Sequence, residues 1–85
     1  ENMIKLEKNY NSNLTLRYKA ETLFDNIDKN KTSVIIDFKN IKFIGKSFAQ
    51  EYVYQKTKLN LKVIEKNKSD FVDNMLNIVN NTFLN

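Results

Sequence analysis

The spacing of apolar residues changes several times along the chain, and each change predicts a new element. Residues 3–8 alternate, with Ile4 and Leu6 on one side, which predicts a half-buried strand. Residues 15–28 then carry apolar side chains at helical spacing, with Thr15 in a position to cap the helix. The predicted inward side of this helix consists of Leu16, Ala20, Leu23, Phe24 and Ile27.

The strongest strand pattern lies at residues 33–38. Val34–Ile36 are consecutive, apolar and β-branched. A strand that is buried on both faces has this composition, as the central strands of parallel sheets do. We therefore expect residues 33–38 to form the middle of a parallel sheet.

The second half of the chain repeats the order of helix and strand. A helix is predicted over 47–57, with Phe48 and Tyr52 facing inward and Tyr54 exposed. A strand follows over 59–65, and Ser69 opens a last helix over 70–83. The predicted inward positions are Leu59, Leu61 and Val63 in the strand, and Val72, Met75, Leu76, Val79 and Phe83 in the helix.

The predicted order is β-α-β-α-β-α, which is typical of an α/β domain with right-handed crossovers. We expect a mostly parallel or mixed sheet of three to four strands with three helices. The domain spans residues 1–85, either alone or as part of a longer protein. Because three strands are few for such a fold, an additional short strand, a homodimer or a missing terminal piece is expected.

Composition limits the chemistry. The chain has no cysteine and no histidine, so thiolates, the commonest general base and the commonest metal ligand are all absent. Neither paired carboxylates nor a Ser/His/Asp set is evident. We predict no catalytic residue, no metal site and no cofactor, and hence a protein that is not an enzyme. The sequence has no apolar run of the roughly 20 residues that span a bilayer and no signal peptide, which indicates a cytoplasmic protein.

Charge supports an alternative function. The net charge is +4 and the isoelectric point is about 9.3, values that suit binding to phosphates. The lysines are spread along the whole chain, however, and Arg17 is the single arginine. Nucleic-acid or nucleotide binding is therefore the alternative to protein binding, and the less favoured one.

The segment 45–54 follows the predicted central strand, and functional groups of α/β sheets gather at the carboxyl ends of strands. Ser47 and Gln50 have the spacing of a capping box, so Ser47 is either an N-cap or an exposed hydroxyl that can be phosphorylated. Gly45 indicates a turn with positive φ or a close passage against the neighbouring helix, since a phosphate-cradling loop needs more glycines. Asp37 is expected to order the loop after the strand.

A family resemblance rests on the same segment. The pattern Val-Ile-Ile-Asp-Phe-x-x-Ile-x-Phe-Ile-Gly-x-Ser-Phe-Ala, at 34–49, resembles the STAS domains, which include the bacterial anti-sigma-factor antagonists. The similarity is greater to a STAS-like family of unknown function, whose helix begins Ser-Phe-Ala with an acidic residue after it. Residues 17–23 resemble the first helix of that family, and the likeness covers roughly residues 13–79.

The resemblance implies a mixed sheet with helices and a regulatory role. In the antagonists, a serine at the helix start is phosphorylated by a GHKL-type kinase, and the phosphate releases an anti-sigma partner. Ser47 matches that serine, although the antagonists have Asp-Ser-Ser-Gly where this chain has Gly-Lys-Ser-Phe at 45–48.

Together these observations predict a non-catalytic, regulatory protein-interaction module that resembles partner-switching proteins. The expected partner is a GHKL-type ATPase or kinase, or an anti-sigma-like protein. Ser47 is the predicted interaction or phosphorylation site. The predicted interaction surface around it consists of Gly45, Lys46, Phe48, Gln50, Glu51 and Tyr54.

Overall fold

The predicted alternation of strands and helices is confirmed, with one added helix. The computed structural model describes residues 2–10 and 14–84, and the side chains of 2–8 and 14–82. The first strand is shorter than predicted because the chain turns into a helix at Leu6, which is fully buried. The elements are β1 (Met3–Lys5), α1 (Leu6–Tyr10), α2 (Arg17–Asp25), β2 (Ser33–Asp37), α3 (Lys46–Lys58), β3 (Lys62–Lys66) and α4 (Asp70–Leu84).

The sheet has three parallel strands in the order β1-β2-β3, so β2 is central, as predicted. Successive crossovers of the same hand in one direction place their helices on one face of a sheet. In agreement, α2 packs on α3 and α3 packs on α4. The described part of the chain is therefore an α/β domain with two layers, a sheet and a row of helices.

The hydrophobic core lies between these two layers. Val34 and Ile36 of β2 are fully buried and contribute to it, together with Phe38 just after the strand. Ile35 is 9% exposed but does not belong to this core, because alternate side chains of a strand point to opposite faces. The helices contribute Ala20, Leu23, Phe24, Phe48, Ala49, Tyr52, Val53, Val72, Leu76 and Val79.

Two predicted helix caps had different outcomes. Ser69 caps α4, since its Oγ accepts a hydrogen bond from the backbone N–H of Val72 at 3.2 Å. Thr15 does not cap α2, because the helix begins later and its N-cap is Leu16. Leu16 is 51% exposed, so its predicted inward position is wrong. The side chain of Phe83, also predicted to face inward, lies outside the described residues.

Asparagine supplies the left-handed backbone in this chain. Asn40 has φ 64° and Asn67 has φ 60°, and they lie in the loops after β2 and β3. Asparagine tolerates this region better than most residues because its short side chain bonds locally. Here Asn40 Nδ2 donates to Glu7 Oε2 at 2.8 Å, and Asn67 Nδ2 donates to Asp37 Oδ1 at 2.9 Å.

Candidate functional site

The start of α3 is held close to the chain that precedes α2. Gly45 is the N-cap of α3 and has φ −83°, so the predicted turn with positive φ is wrong. Its backbone N–H donates to the carbonyl of Leu14 at 2.8 Å. A Cβ added at Gly45 would lie 3.0 Å from Thr15 Cα. The glycine therefore allows a close passage, but against the segment before α2 and not against a helix as predicted.

Ser47 is exposed on the first turn of α3, but it is not the N-cap. That position belongs to Gly45, and no side chain caps the helix, so the capping box between Ser47 and Gln50 is not formed. The hydroxyl is accessible at a helix N-terminus, where the dipole favours negative charge. Phosphorylation of Ser47 stays a prediction.

The predicted interaction surface divides into exposed and buried residues. Lys46 and Tyr54 are exposed, and Gln50 is half-buried. Phe48 is only 1% exposed and packs in the core, where its ring lies 6.1 Å from that of Tyr52. The prediction that Phe48 contributes to a surface is therefore wrong, because the helical period turns it toward the sheet.

Glu51 is likewise not available to a partner. Its side chain is almost buried, and its two carboxylate oxygens accept from different groups. Oε1 lies 3.3 Å from Arg17 Nη1, and Oε2 accepts from Gln55 Nε2 at 2.7 Å. Glu51 thus joins α3 to α2, and only a small part of its side chain, at the depression beside Arg17 and Tyr54, remains exposed.

Sequence reasoning missed three exposed apolar residues beside α3. Phe71 and Ile78 of α4 are 44% and 64% exposed, and Phe43 in the loop before α3 is 47% exposed. The rings of Phe43 and Phe71 are in contact, with centroids 5.1 Å apart. Phe71 and Ile78 are seven residues apart, which places them on the same side of the helix, so their spacing was a usable signal.

Ile78 meets the exposed part of α3 at the first of two shallow depressions, which is lined by Lys46, Gln50, Ile78, Val79 and Thr82. The second is lined by Arg17, Gln50, Glu51 and Tyr54. Gln50 lines both, and Phe71, with its contact Phe43, lies on the same side of α4 as Ile78, so we treat the exposed residues as one surface. We name it the α3–α4 surface, and it consists of Phe43, Lys46, Ser47, Gln50, Tyr54, Phe71, Ile78 and Thr82.

A third depression lies where β1 and β2 end. Lys5, Lys8 and Lys39 line it together with Glu7 and Asp37. Asp37 Oδ1 accepts from the backbone N–H of Lys39 at 3.0 Å, so its predicted loop-ordering role is confirmed. The hydrogen bond from Asn67 is the main reason that the pKa of Asp37 lies below its usual value.

A polar network ties α3 to β3 and α4. The hydroxyl of Tyr52 donates to Glu65 at 2.5 Å, and Lys56 and Lys68 lie 3.1 and 3.0 Å from the same carboxylate. Burial alone would raise the pKa of Glu65, but the hydrogen bonds from Tyr52 and Lys68 and the charge of Lys56 outweigh it and lower that pKa. Lys68 also lies 2.9 Å from Asp73. Through these contacts the network joins Glu65 of β3 to both neighbouring helices.

Within the described residues, no group of three carboxylates forms a potential metal site. No helix in the same part of the chain has both the length and the apolar character needed to cross a membrane. Neither a protein-family model, nor a curated protein, nor a solved structure matches this chain.

Proposed function

We propose that this chain is a non-catalytic interaction domain that binds a partner protein through the α3–α4 surface. The observation that carries the proposal is that Phe43, Phe71 and Ile78 are each more than 40% exposed. Phe43 contacts Phe71, and Ile78 lies beside Lys46 and Gln50 of α3. Contiguous apolar residues rimmed by polar ones mark protein-interaction sites. Tyr54 adds an exposed aromatic side chain of a kind enriched in interfaces.

Ser47 gives this surface a means of regulation. A phosphate on its hydroxyl would add a charge of about −1.5 to −2 at pH 7. The helix dipole and Lys46 would stabilise that charge locally, so the fold would tolerate it. The same charge would oppose the docking of an apolar partner beside it. Binding would therefore depend on the phosphorylation state.

The resemblance to STAS domains supports a partner of a particular class. It favours a regulatory protein in a partner-switching system, either a GHKL-type ATPase or kinase or an anti-sigma-like protein. The arrangement of an exposed serine beside an apolar surface is compatible with such a system. This partner is an expectation from the resemblance, and the binding experiment below does not depend on it.

The proposal is tested by affinity purification from the native host, with quantitative mass spectrometry of the proteins that co-purify. Ser47→Glu and Ile78→Asp are compared with Asn60→Glu and Tyr18→Asp, which place the same charges at exposed positions outside the surface. We expect one partner protein to co-purify with the wild type and with both controls. The amount that co-purifies should fall about tenfold or more with each of the two test variants.

The folded state of each variant is checked by circular dichroism, so that loss of binding is not confused with unfolding. Mass spectrometry of the purified wild-type protein shows whether Ser47 carries a phosphate. If Ser47→Glu and Ile78→Asp both retain the partner as fully as the wild type does, that result would contradict the proposed surface.

A second candidate function is binding of a phosphate-bearing ligand, such as a nucleotide. The observation that favours it is the meeting of Lys5, Lys8 and Lys39 at the carboxyl ends of β1 and β2, a usual ligand position in α/β sheets. Glu7 and Asp37 lie among these lysines and weaken their attraction for anions. We therefore rank it below protein binding.

Titration with ATP and with a single-stranded oligonucleotide at low salt separates the two functions. If the second function is correct, Lys8→Glu with Lys39→Glu abolishes binding, and binding to wild type weakens as salt is raised. Lys31→Glu with Lys42→Glu, both exposed, is the control of equal charge. Absence of saturable binding to the wild type would remove this candidate.

A further inference from the structure

The face of the sheet that points away from α2–α4 carries a row of apolar residues. Met3 pairs with Ile35, and Ile35 pairs with Ile64, so one apolar side chain comes from each strand at the same level. None of the three belongs to the hydrophobic cluster between the sheet and the helices. Met3 and Ile64 are half-buried, and Ile35, in the middle of the row, is 9% exposed. They lie on the second face of the sheet, which we name the open face.

The charges on the open face are mostly positive. On the same face, two residues further toward the carboxyl ends of the strands, Asp37 pairs with Lys5 on one side and Lys66 on the other. At the opposite end of the face, Lys62 pairs with Ser33. The three lysines are exposed. Asp37 already accepts hydrogen bonds from Asn67 and from the backbone of Lys39, which partly satisfies its charge. The apolar row is thus bordered by three exposed lysines and by one carboxylate that is already hydrogen-bonded.

Parallel sheets are normally covered on both faces, usually by helices. The row from Met3 to Ile64 crosses two inter-strand spacings, which is about 10 Å. An α-helix with its side chains is about 10–12 Å wide. A single helix lying along β2 therefore matches the apolar row in width and meets lysines toward both of its ends.

We propose that the open face docks an amphipathic, acidic α-helix of another protein. Its apolar stripe would pack on Met3, Ile35 and Ile64, and its Asp and Glu residues would lie opposite Lys5, Lys62 and Lys66. The site is separate from the α3–α4 surface, so this inference does not depend on the proposed function. A chain with both sites could join two partners at once.

Charge argues against a second copy of this chain as the occupant. Two open faces packed together would bring two sets of three lysines into proximity, with one aspartate from each copy. The chain as a whole also carries a net charge of +4, so two copies repel each other. An acidic helix removes this repulsion and is attracted at long range.

The test uses synthetic peptides of about 20 residues, a length at which helices form in water. One peptide has a leucine stripe with glutamates elsewhere, and the second has the same stripe with lysines elsewhere. Binding is measured by fluorescence anisotropy, and the contact residues are located by ¹⁵N chemical-shift changes. We expect the acidic peptide to bind with shifts confined to 3–5, 33–37 and 62–66, and the basic peptide not to bind.

Charge-reversal variants make the test specific. Lys62→Glu with Lys66→Glu changes exposed residues of the open face that do not line the depression beside Lys8 and Lys39. We expect it to weaken acidic-peptide binding about tenfold, and Lys31→Glu with Lys42→Glu to weaken it much less. Ile64→Lys, on the less buried edge strand, should abolish it. Ile78→Asp, which disrupts the α3–α4 surface, should leave it unchanged.

Three results would overturn the inference. The first is absence of acidic-peptide binding to the wild type, and the second is equal loss of binding in the two double variants. The third is a dimer in analytical ultracentrifugation that Ile64→Lys converts to a monomer, because a second copy would then cover the face. Shifts that instead map to 46–54 and 71–82 would assign the acidic helix to the α3–α4 surface.

Discussion

At the scale of single residues, the chain uses buried polar groups sparingly and satisfies them. Within the described residues, no buried side-chain nitrogen or oxygen lacks a hydrogen-bond partner. The carboxylate of Glu65 is the clearest case, since a fully buried tyrosine and two lysines contact it. Such a group stabilises the fold only while it is ionised, which makes its effect measurable.

Acid should therefore weaken the fold in part through Glu65. Its pKa is lower in the folded state than in the unfolded chain, so its contribution is complete above the usual glutamate pKa of about 4.3. The contribution is lost as pH falls through the lower, folded-state pKa. We expect the free energy of unfolding in urea to fall with pH in this range, and less steeply in Glu65→Gln. Glu21→Gln, an exposed substitution, should keep the wild-type slope. Equal slopes in all three proteins would contradict this assignment.

Gly45 is the second residue whose substitution has a definite expected cost. A Cβ there would lie 3.0 Å from Thr15 Cα and 3.2 Å from Thr15 Cβ. The backbone of this segment cannot easily move away, because Leu14 is fully buried and accepts the Gly45 N–H. We expect Gly45→Ala to lower the free energy of unfolding by about 1–2 kcal/mol. A stability equal to or above that of wild type would show that the segment at Thr15 moves freely.

At the scale of elements, the two serines at helix starts have different roles. Ser69 caps α4 through its hydroxyl, whereas Ser47 lies inside the first turn of α3 and caps nothing. Both were predicted from the same local pattern, a serine before an apolar helical stripe. The difference arises because Gly45 fits closely against Thr15 and thereby sets where α3 begins.

The paired alanine substitutions test this difference. Ser69→Ala should lower the free energy of unfolding by about 1 kcal/mol, since the N–H of Val72 loses its acceptor. Ser47→Ala should change it by less than about 0.5 kcal/mol, as expected for an exposed residue without a capping bond. Both values come from urea denaturation. A larger loss in Ser47→Ala than in Ser69→Ala would reverse the assignment of the caps.

The sequence predicted the helices and strands better than it predicted which side of each one is exposed. Val34–Ile36 could be assigned to a central strand because three consecutive β-branched residues suit a site buried on both faces. Leu6 was assigned to a strand because its burial fits a strand or a helix equally well over so short a segment. Phe48 was assigned to the surface because it neighbours Ser47 in sequence, although the helical period turns its side chain toward the core. Glu51 lies four residues after Ser47 on the same side of α3, but its contacts with Arg17 and Gln55 leave it almost buried.

At the scale of the whole molecule, features that depend on strand register could not be predicted. The apolar row of the open face needs Met3, Ile35 and Ile64 to lie at one level, and register is set by packing along the entire sheet. Likewise, the contact of Phe43 with Phe71 joins two parts of the chain that no local pattern connects. The open face and the Phe43–Phe71 contact therefore required the three-dimensional structure, whereas Lys46, Ser47, Gln50 and Tyr54 were predicted from the sequence.

Hydrogen exchange should reflect the position of each strand. β2 is hydrogen-bonded to a strand on either side, whereas β1 and β3 each have one such neighbour among the described residues. We expect the slowest amide exchange within Ser33–Asp37 and faster exchange in Met3–Lys5, because local opening of a short terminal strand exposes its amides. Slower exchange in β1 than in β2, measured by NMR, would contradict the strand order.

The shortness of β1 has a consequence for aggregation of the protein. Three residues, Met3–Lys5, cover one side of the strand that contains Val34–Ile36. If β1 detaches, a run of β-branched residues with free backbone donors and acceptors becomes a template for intermolecular strand addition. A version lacking residues 1–5 should form fibrillar aggregates that bind thioflavin T. The first few residues of the described chain thus protect the molecule against self-association as much as they complete its sheet.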